Sequence, residues 1–171
     1  GLASHGAAIA MIISMYLYRK KHLLHRSWLW ILDRVVIPVA LGAVFVRIGN
    51  FINSEIVGFE TESPFGVVFV QNGENFARHP AQLYEAFFYI FVFIALLFFY
   101  WKSNKSKQEG FLFGLFLVLL WTIRFFVEFV KKAQVDGRDD YVWFMNTGQV
   151  LSVPLILIGL YFMFFYKKKA E

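Results

Sequence analysis

The sequence of 171 residues contains no cysteine. This absence excludes disulfides, thiolate metal sites and a cysteine nucleophile on the chain, so any thiol in the chemistry has to come from a substrate. Internal repeats and low-complexity linkers are also absent, and we therefore predict a single membrane domain over residues 1–171. The first residue is Gly1, and no signal peptide with a small-residue cleavage site is visible, so we expect a fragment or a trimmed chain.

Apolar side chains are abundant instead. The composition is 58% hydrophobic and 20% aromatic, well above the values of an ordinary soluble domain. The net charge of +5 would suit a nucleic-acid partner, but the basic residues lie in short runs that flank apolar segments. That pattern is typical of membrane topology signals. We therefore predict a protein embedded in a lipid bilayer, with no nucleic-acid partner.

Five apolar segments predict an all-α, polytopic bundle of five membrane-spanning helices. Between the second and third segments, residues 47–82 are polar and contain Asn72-Gly73, a pair typical of β-hairpin turns. The basic runs follow the first, third and fifth segments, so the positive-inside tendency places residues 47–82 outside the cytoplasm, as a small cap with a β-hairpin. The five segments are residues 2–18, 27–46, 81–101, 111–130 and 150–166.

Polar groups that are costly in a membrane gather on the outer side of this arrangement. The run RIGNFINSEIVG, Arg47 to Gly58, would place Arg47, Asn50 and Ser54 on one face if it were helical. Such a face could hold an anion, or it could simply be a helix cap at the membrane surface.

Two further candidates lie on the same side. Arg124 and Glu128 are one helical turn apart and would face each other, either as a self-neutralising pair or as a functional one. His5 begins the first segment, and by sequence alone it is either structural or catalytic.

The run from Arg47 to Gly58 resembles the signature of the prolipoprotein diacylglyceryl transferases, which are bacterial inner-membrane enzymes. It departs at Val46, where the family has Gly. Family members carry membrane segments before their His-Gly-Gly block, so the resemblance implies that this chain is the later portion and lacks N-terminal spans. Four other blocks are similar to the family in the same order: His5-Gly6 (with Ala7 in place of the second Gly), Arg78-His79-Pro80 with Gln82-Leu83-Tyr84-Glu85, Arg124-Phe125 with Glu128-Phe129, and Gly148-Gln149 with Leu151-Ser152.

The resemblance implies transfer of the diacylglyceryl group of phosphatidylglycerol to the lipobox cysteine of a prolipoprotein signal peptide, with glycerol phosphate released. It also implies a multi-pass protein of the bacterial inner membrane with its active site towards the periplasmic leaflet. No cofactor is expected. No metal is expected either, because the sequence shows no metal-spaced set of His or carboxylates, and the reaction should survive chelators.

The resemblance also suggests roles for single residues. Arg47 and Arg124 would bind the lipid phosphate, and His5 would accept or relay the thiol proton, with Glu128 as a rival base. Glu85 and Glu128 would hold arginines or the histidine in place. The predicted catalytic residues are His5, Arg47, Arg124 and Glu128, and the predicted substrate-binding residues are Arg47, Asn50, Asn53, Glu55, Gly58, His79, Gln82, Tyr84, Glu85 and Gln149.

Other functions remain compatible with the same polar groups. A small transporter would need polar residues through the midplane, whereas only Asp33 and Arg34 lie towards the cytoplasmic side. A lipid-binding subunit would release no glycerol phosphate. A different head-group enzyme would need no thiol acceptor.

Overall fold

The computed structural model describes residues 2–22, 24–131, 141–142 and 145–166, with side chains described from residue 6 onwards except at 141–142. Within these residues the chain forms five α-helices, close to the five predicted segments. The last helix continues into a π-helical turn, Tyr161–Phe165. The helices are α1 Leu2–His22, α2 Trp28–Ile52, α3 Ala81–Lys102, α4 Phe111–Val127 and α5 Thr147–Leu160.

The helix ends differ from the predicted ones where local side chains set them. Helix α2 continues past Val46 to Ile52, so the first half of the polar signature is helical. Helix α5 begins earlier than predicted because Asn146 and Gln149 form a capping box, in which each side chain binds the backbone amide at the other position.

The outer surface of the bundle is apolar. Helices α2, α3 and α5 with its π-helical turn are long and apolar enough to cross a membrane, and α4 is a shorter apolar helix. Large side chains point outwards: Phe45 is 64% exposed, Phe91 54% and Leu157 59%. A water-soluble domain would bury such residues, so the protein is a helical membrane protein, as predicted.

The core lies where α2, α3 and α4 pack together, around Ala40, Leu96 and Leu112. Helix α5 packs against α4 at two glycines. A Cβ on Gly114 would lie 2.5 Å from the carbonyl oxygen of Gly159, so only glycine permits this approach of the two backbones.

A small hairpin covers one end of the bundle. Strands β1 (Val67–Val68) and β2 (Ala77–Arg78) pair antiparallel, which confirms the predicted hairpin. The predicted turn is different, however, because residues 69–76 form a longer connection with a 3₁₀ turn at Val70–Asn72 and Gly73 at φ 73°. A second pair, β3 (Tyr141–Val142) with β4 (Met145–Asn146), leads into α5.

Asp33 joins two helices at the opposite end. Its carboxylate, 1% exposed, accepts hydrogen bonds from the amides of Gly110 at 2.8 Å and Phe113 at 2.9 Å. Gly110 caps α4 without a side chain of its own, so a residue of α2 satisfies the first amides of α4.

Candidate active site

Three segments that are distant in sequence meet at the hairpin end of the bundle. The amide of Gly58 donates to the carbonyl of His79 at 2.9 Å, and that of Phe59 donates to the carbonyl of Val130 at 2.7 Å. The loop after α2, the start of α3 and the end of α4 are therefore bound together. The signature run, Arg47 to Gly58, and the block that begins at Arg78 are therefore neighbours in space.

Glu85 lies at the centre of this junction. Its side chain is 1% exposed, and one oxygen pairs with Nε of Arg47. The other oxygen lies 3.1 Å from Nζ of Lys131, and the hydroxyl of Tyr89 lies 3.5 Å from the first. The predicted contact between Glu85 and an arginine is present, and the buried carboxylate lies between two cations.

Lys131 was not among the predicted site residues. It is 8% exposed, and burial lowers the pKa of its ammonium group, while the nearby carboxylate of Glu85 opposes that shift. In the sequence it resembles any lysine that flanks a membrane segment. Its partner Glu85 is 46 positions away, so no local pattern could have revealed the pair.

The signature residues form a chain of hydrogen bonds. Nη1 of Arg47 donates to Asn50 at 3.1 Å, and the amide of Asn50 donates to the Glu55 carboxylate at 3.1 Å. The shared face of Arg47 and Asn50 is thus confirmed. Ser54 would lie on this face only if the stretch were helical throughout, but α2 ends at Ile52 and Ser54 has a φ of 55°.

The loop after α2 is held in an unusual backbone conformation. Ser54 and Ile56, on either side of Glu55, both have positive φ, at 55° and 57°. Two side chains bind this loop: Nδ2 of Asn72 donates to the Ser54 carbonyl at 3.0 Å, and Nε2 of Gln82 donates to the Glu55 carbonyl at 2.5 Å. The hairpin and α3 thereby fix the position of Glu55.

A cleft of about 430 Å³ opens beside this junction. Its polar lining includes Arg47 from α2, Arg124 from α4 and Tyr89 from α3. The remaining walls are mostly apolar, and Met11 of α1 contributes to them. The two arginines predicted to bind phosphate therefore lie in one cleft.

Arg124 does not pair with Glu128, contrary to the predicted face-to-face arrangement. Among the residues whose side chains are described, no carboxylate lies within 4 Å of its guanidinium nitrogens. The guanidinium carbon lies 4.8 Å from the centre of the Trp121 ring. Arg124 therefore brings to the cleft a positive charge that no described carboxylate neutralises.

Glu128 contacts different partners. It follows the end of α4, and its carboxylate lies 3.9 Å from Nζ of Lys131. A Cβ on Gly148 would lie 2.5 Å from this carboxylate, so Gly148 lets it approach the first turn of α5. A helix N-terminus stabilises a negative charge, which explains why Glu128 turns towards α5 and Lys131 rather than back to Arg124.

Several predicted binding residues have structural contacts of their own. Gln149, fully buried, completes the capping box and donates to the carbonyl of Phe125 at 3.2 Å. Nδ1 of His79 lies 3.0 Å from the Tyr84 hydroxyl. A Cβ on Gly58 would lie 2.5 Å from the carbonyl oxygen of His79, so this glycine permits close packing of the backbone. Contact of these residues with substrate stays a prediction.

Two predicted residues lie outside this network. Asn53 is exposed and ends α2 through its backbone amide. His5 is part of helix α1, but the structure does not describe its side chain. Within the part of the chain that the structure describes, no group of three or more His, Asp or Glu side chains is placed to hold a metal.

Comparison with known proteins agrees with the resemblance. The family model for prolipoprotein diacylglyceryl transferase matches residues 1–165. A phosphatidylglycerol–prolipoprotein diacylglyceryl transferase of Bacteroides fragilis is 43% identical over 99% of this chain and 59% of its own length. Relatives of the same name in Tolumonas auensis and Chloroherpeton thalassium are 43% and 37% identical, over 99% and 100% of this chain.

This chain spans 59%, 64% and 62% of those three relatives, in the same order. The match extends from the first helix into the last one and contains every block that carries the resemblance. The chain therefore belongs to the prolipoprotein diacylglyceryl transferase family.

Proposed function

We propose that the protein transfers a diacylglyceryl group from phosphatidylglycerol to the cysteine thiol of a prolipoprotein, the donor and acceptor that appear in the names of its relatives. The observation that carries this proposal is the cleft in which Arg47 and Arg124 lie between apolar walls. An anionic lipid matches both properties, because its phosphate needs cations and its acyl chains need apolar surface.

The two arginines suit a phosphate that becomes more negative during the reaction. Guanidinium groups bind phosphate oxygens in pairs, and in a site shielded from water they stabilise developing charge strongly. Arg47 is held in place by Glu85 and Asn50, whereas no described carboxylate neutralises Arg124. We assign both to the phosphate of the donor lipid.

The transfer forms one bond and breaks another. The sulfur attacks the glycerol carbon that carries the phosphate ester, and the carbon–oxygen bond breaks with its electron pair left on the phosphate oxygen. Glycerol phosphate is the leaving group, and a thioether remains. Because a thiol has a pKa of about 8.5, its proton has to be removed for efficient attack.

We assign the thiol proton to His5. This assignment is carried over from the resemblance, and it is supported by the position of α1, whose Met11 lines the cleft. Glu128, the rival base, contacts Lys131 and the start of α5 and is not among the side chains that line the cleft. These contacts support a role for Glu128 in holding neighbouring side chains in place rather than in accepting the proton.

The distribution of charge supports the proposed membrane setting. The polar junction and the hairpin lie at one end of the bundle, while Lys102, Lys105 and Lys107 lie at the other, between α3 and α4. By the positive-inside tendency, residues 47–82 form an extracytoplasmic cap and the cleft lies towards the periplasmic leaflet of the inner membrane. There it would meet both phosphatidylglycerol and the lipobox of an exported signal peptide.

The test is a liposome assay of the full-length product of the gene. Phosphatidylglycerol and a lipobox peptide are supplied, and glycerol phosphate release and peptide mass are measured. We expect the peptide to gain one diacylglyceryl group, and we expect no gain with a peptide that has serine in place of cysteine or with the Arg124→Ala variant. A well-folded protein that produces neither signal would refute the proposal.

A further inference from the structure

Glu85 is bound by two cations, and only one of them reaches the cleft. Arg47 lines the cleft, whereas neither Glu85 nor Lys131 is among the described side chains that do. Glu85 contacts two side chains that line the cleft, Arg47 and Tyr89, and of these only Arg47 carries a charge.

The contact between Arg47 and Glu85 conflicts with binding of phosphate. Nε of Arg47 is engaged by Glu85, and Nη1 donates to Asn50. A phosphate that is bound by two guanidinium donors has to compete with these partners. If Arg47 turns to the phosphate, Glu85 loses one of its two cations in a site where it is 1% exposed.

A buried carboxylate without a cation is costly, and the loss of one partner of a buried pair destabilises a protein strongly. Lys131 is placed to prevent this loss. Its ammonium group lies 3.1 Å from the oxygen of Glu85 that Arg47 does not use, so it can stay bound when Arg47 leaves. A β-bridge between Gly58 and Lys131 fixes the backbone of the lysine against the signature loop.

We propose that Lys131 is a positioning residue that keeps Glu85 neutralised while Arg47 exchanges Glu85 for the phosphate of the donor lipid. Before the lipid arrives, Glu85 holds Arg47 in the orientation that the cleft needs. Afterwards, Lys131 holds Glu85, and Arg47 and Arg124 share the phosphate. This inference rests on the proposed function, because it requires an anionic lipid in the cleft.

A double-mutant cycle tests the exchange in the full-length protein. Lys131→Met, Glu85→Gln and the double variant are assayed in liposomes for kcat and for KM towards phosphatidylglycerol. We expect Lys131→Met alone to lower kcat/KM by about tenfold or more, because Glu85 is left without a cation when Arg47 leaves. In the Glu85→Gln background the same substitution should change kcat/KM by less than about twofold, because Lys131 then loses only its longer contact with Glu128, at 3.9 Å.

Two control variants and a melting-temperature measurement make the result specific. Lys131→Arg keeps the charge and should restore most of the loss, and Lys102→Met removes an exposed lysine at the far end of α3 and should have no effect. A purely structural role for Lys131 would lower the melting temperature in both Glu85 backgrounds and leave KM for phosphatidylglycerol unchanged. If Lys131→Met does not fold, Lys131→Gln takes its place in the cycle.

Equal losses in the two Glu85 backgrounds would overturn the exchange while leaving the proposed function intact. Failure of the unmutated protein to transfer the lipid would instead overturn the proposed function, and this inference with it.

Discussion

At the scale of single residues, Arg47 uses two different nitrogens of its guanidinium group, on different edges of the plane. Nε binds Glu85 and Nη1 binds Asn50. A lysine has a single charged nitrogen and cannot reproduce this planar geometry. We expect Arg47→Lys to lower kcat in the liposome assay by about a hundredfold or more, comparable to the removal of a charge-stabilising donor in other enzymes. Arg19→Lys, at the far end of α1, is the control, and turnover near the unmutated value in Arg47→Lys would refute the assignment.

Substitution of two glycines near the site should have different effects, one on backbone packing and the other on the position of the Glu128 side chain. A Cβ on Gly58 would strike backbone atoms of His79 and Val130 at 2.5 and 2.6 Å, whereas a Cβ on Gly148 would strike the end of the flexible Glu128 side chain. We expect Gly58→Ala to destabilise the protein by about 1–3 kcal/mol, because the backbone has to move. Gly148→Ala should fold normally and lose activity, since only Glu128 is displaced.

Thermal unfolding in detergent and the transfer assay distinguish these two outcomes. A Gly58→Ala protein that melts at the unmutated temperature would show that the loop and the end of α4 are not tightly packed. A fully active Gly148→Ala protein would show that the position of Glu128 is unimportant.

At the scale of helices, the start of α4 depends on a side chain from α2. Removal of the Asp33 carboxylate leaves the amides of Gly110 and Phe113 without their acceptor. We expect Asp33→Ala to lower the free energy of unfolding by about 1–3 kcal/mol, the cost of buried donors left unpaired. Activity per folded molecule should be retained, because Asp33 lies at the end of the bundle away from the cleft. Lys102→Met is the control, and an unchanged melting temperature for Asp33→Ala would contradict the capping role.

The helices could be predicted from sequence, but several of their contacts could not. Apolar composition and segment length are local properties, so all five segments followed from the chain itself. The extension of α2 to Ile52 was missed because polar residues were read as the end of the membrane segment. The orientation of Glu128 was missed because its partners, Lys131 and the first turn of α5, become neighbours only when the helices pack.

The family resemblance supplied candidate site residues that hydropathy and spacing alone could not rank. Hydropathy shows only that Arg47 and Arg124 are charges whose burial in a membrane is unfavourable. No local sequence pattern indicates that the two side chains line one cleft. Neither hydropathy nor the family resemblance identified Lys131 as a candidate site residue. It is absent from the motif blocks that carry the resemblance, and only the folded structure places it against Glu85.

At the scale of the whole molecule, the proposed orientation can be measured by cysteine labelling, because these 171 residues contribute no cysteine of their own. Single cysteines can be introduced at two exposed positions, Glu62→Cys in the hairpin region and Lys105→Cys between α3 and α4. In cells with a permeable outer membrane, a maleimide that cannot cross the inner membrane should label position 62 and not position 105. Lysed cells should show labelling at both. The opposite pattern in intact cells would place the cleft on the cytoplasmic side.

The backbone of the loop around Glu55 has a consequence for engineering. Ser54 adopts a left-handed conformation that costs a non-glycine residue about 1–2 kcal/mol, and glycine would remove most of that cost. After the larger entropy of glycine in the unfolded chain is subtracted, Ser54→Gly should stabilise the protein by about 0.5 kcal/mol and raise its melting temperature by about 1–2 °C. Asn72 and Gln82 bind backbone carbonyls that this change leaves in place, so Glu55 should stay in position and turnover should be retained. A more heat-resistant protein can therefore be sought within this loop itself, because its neighbours bind its backbone carbonyls and not the Ser54 side chain.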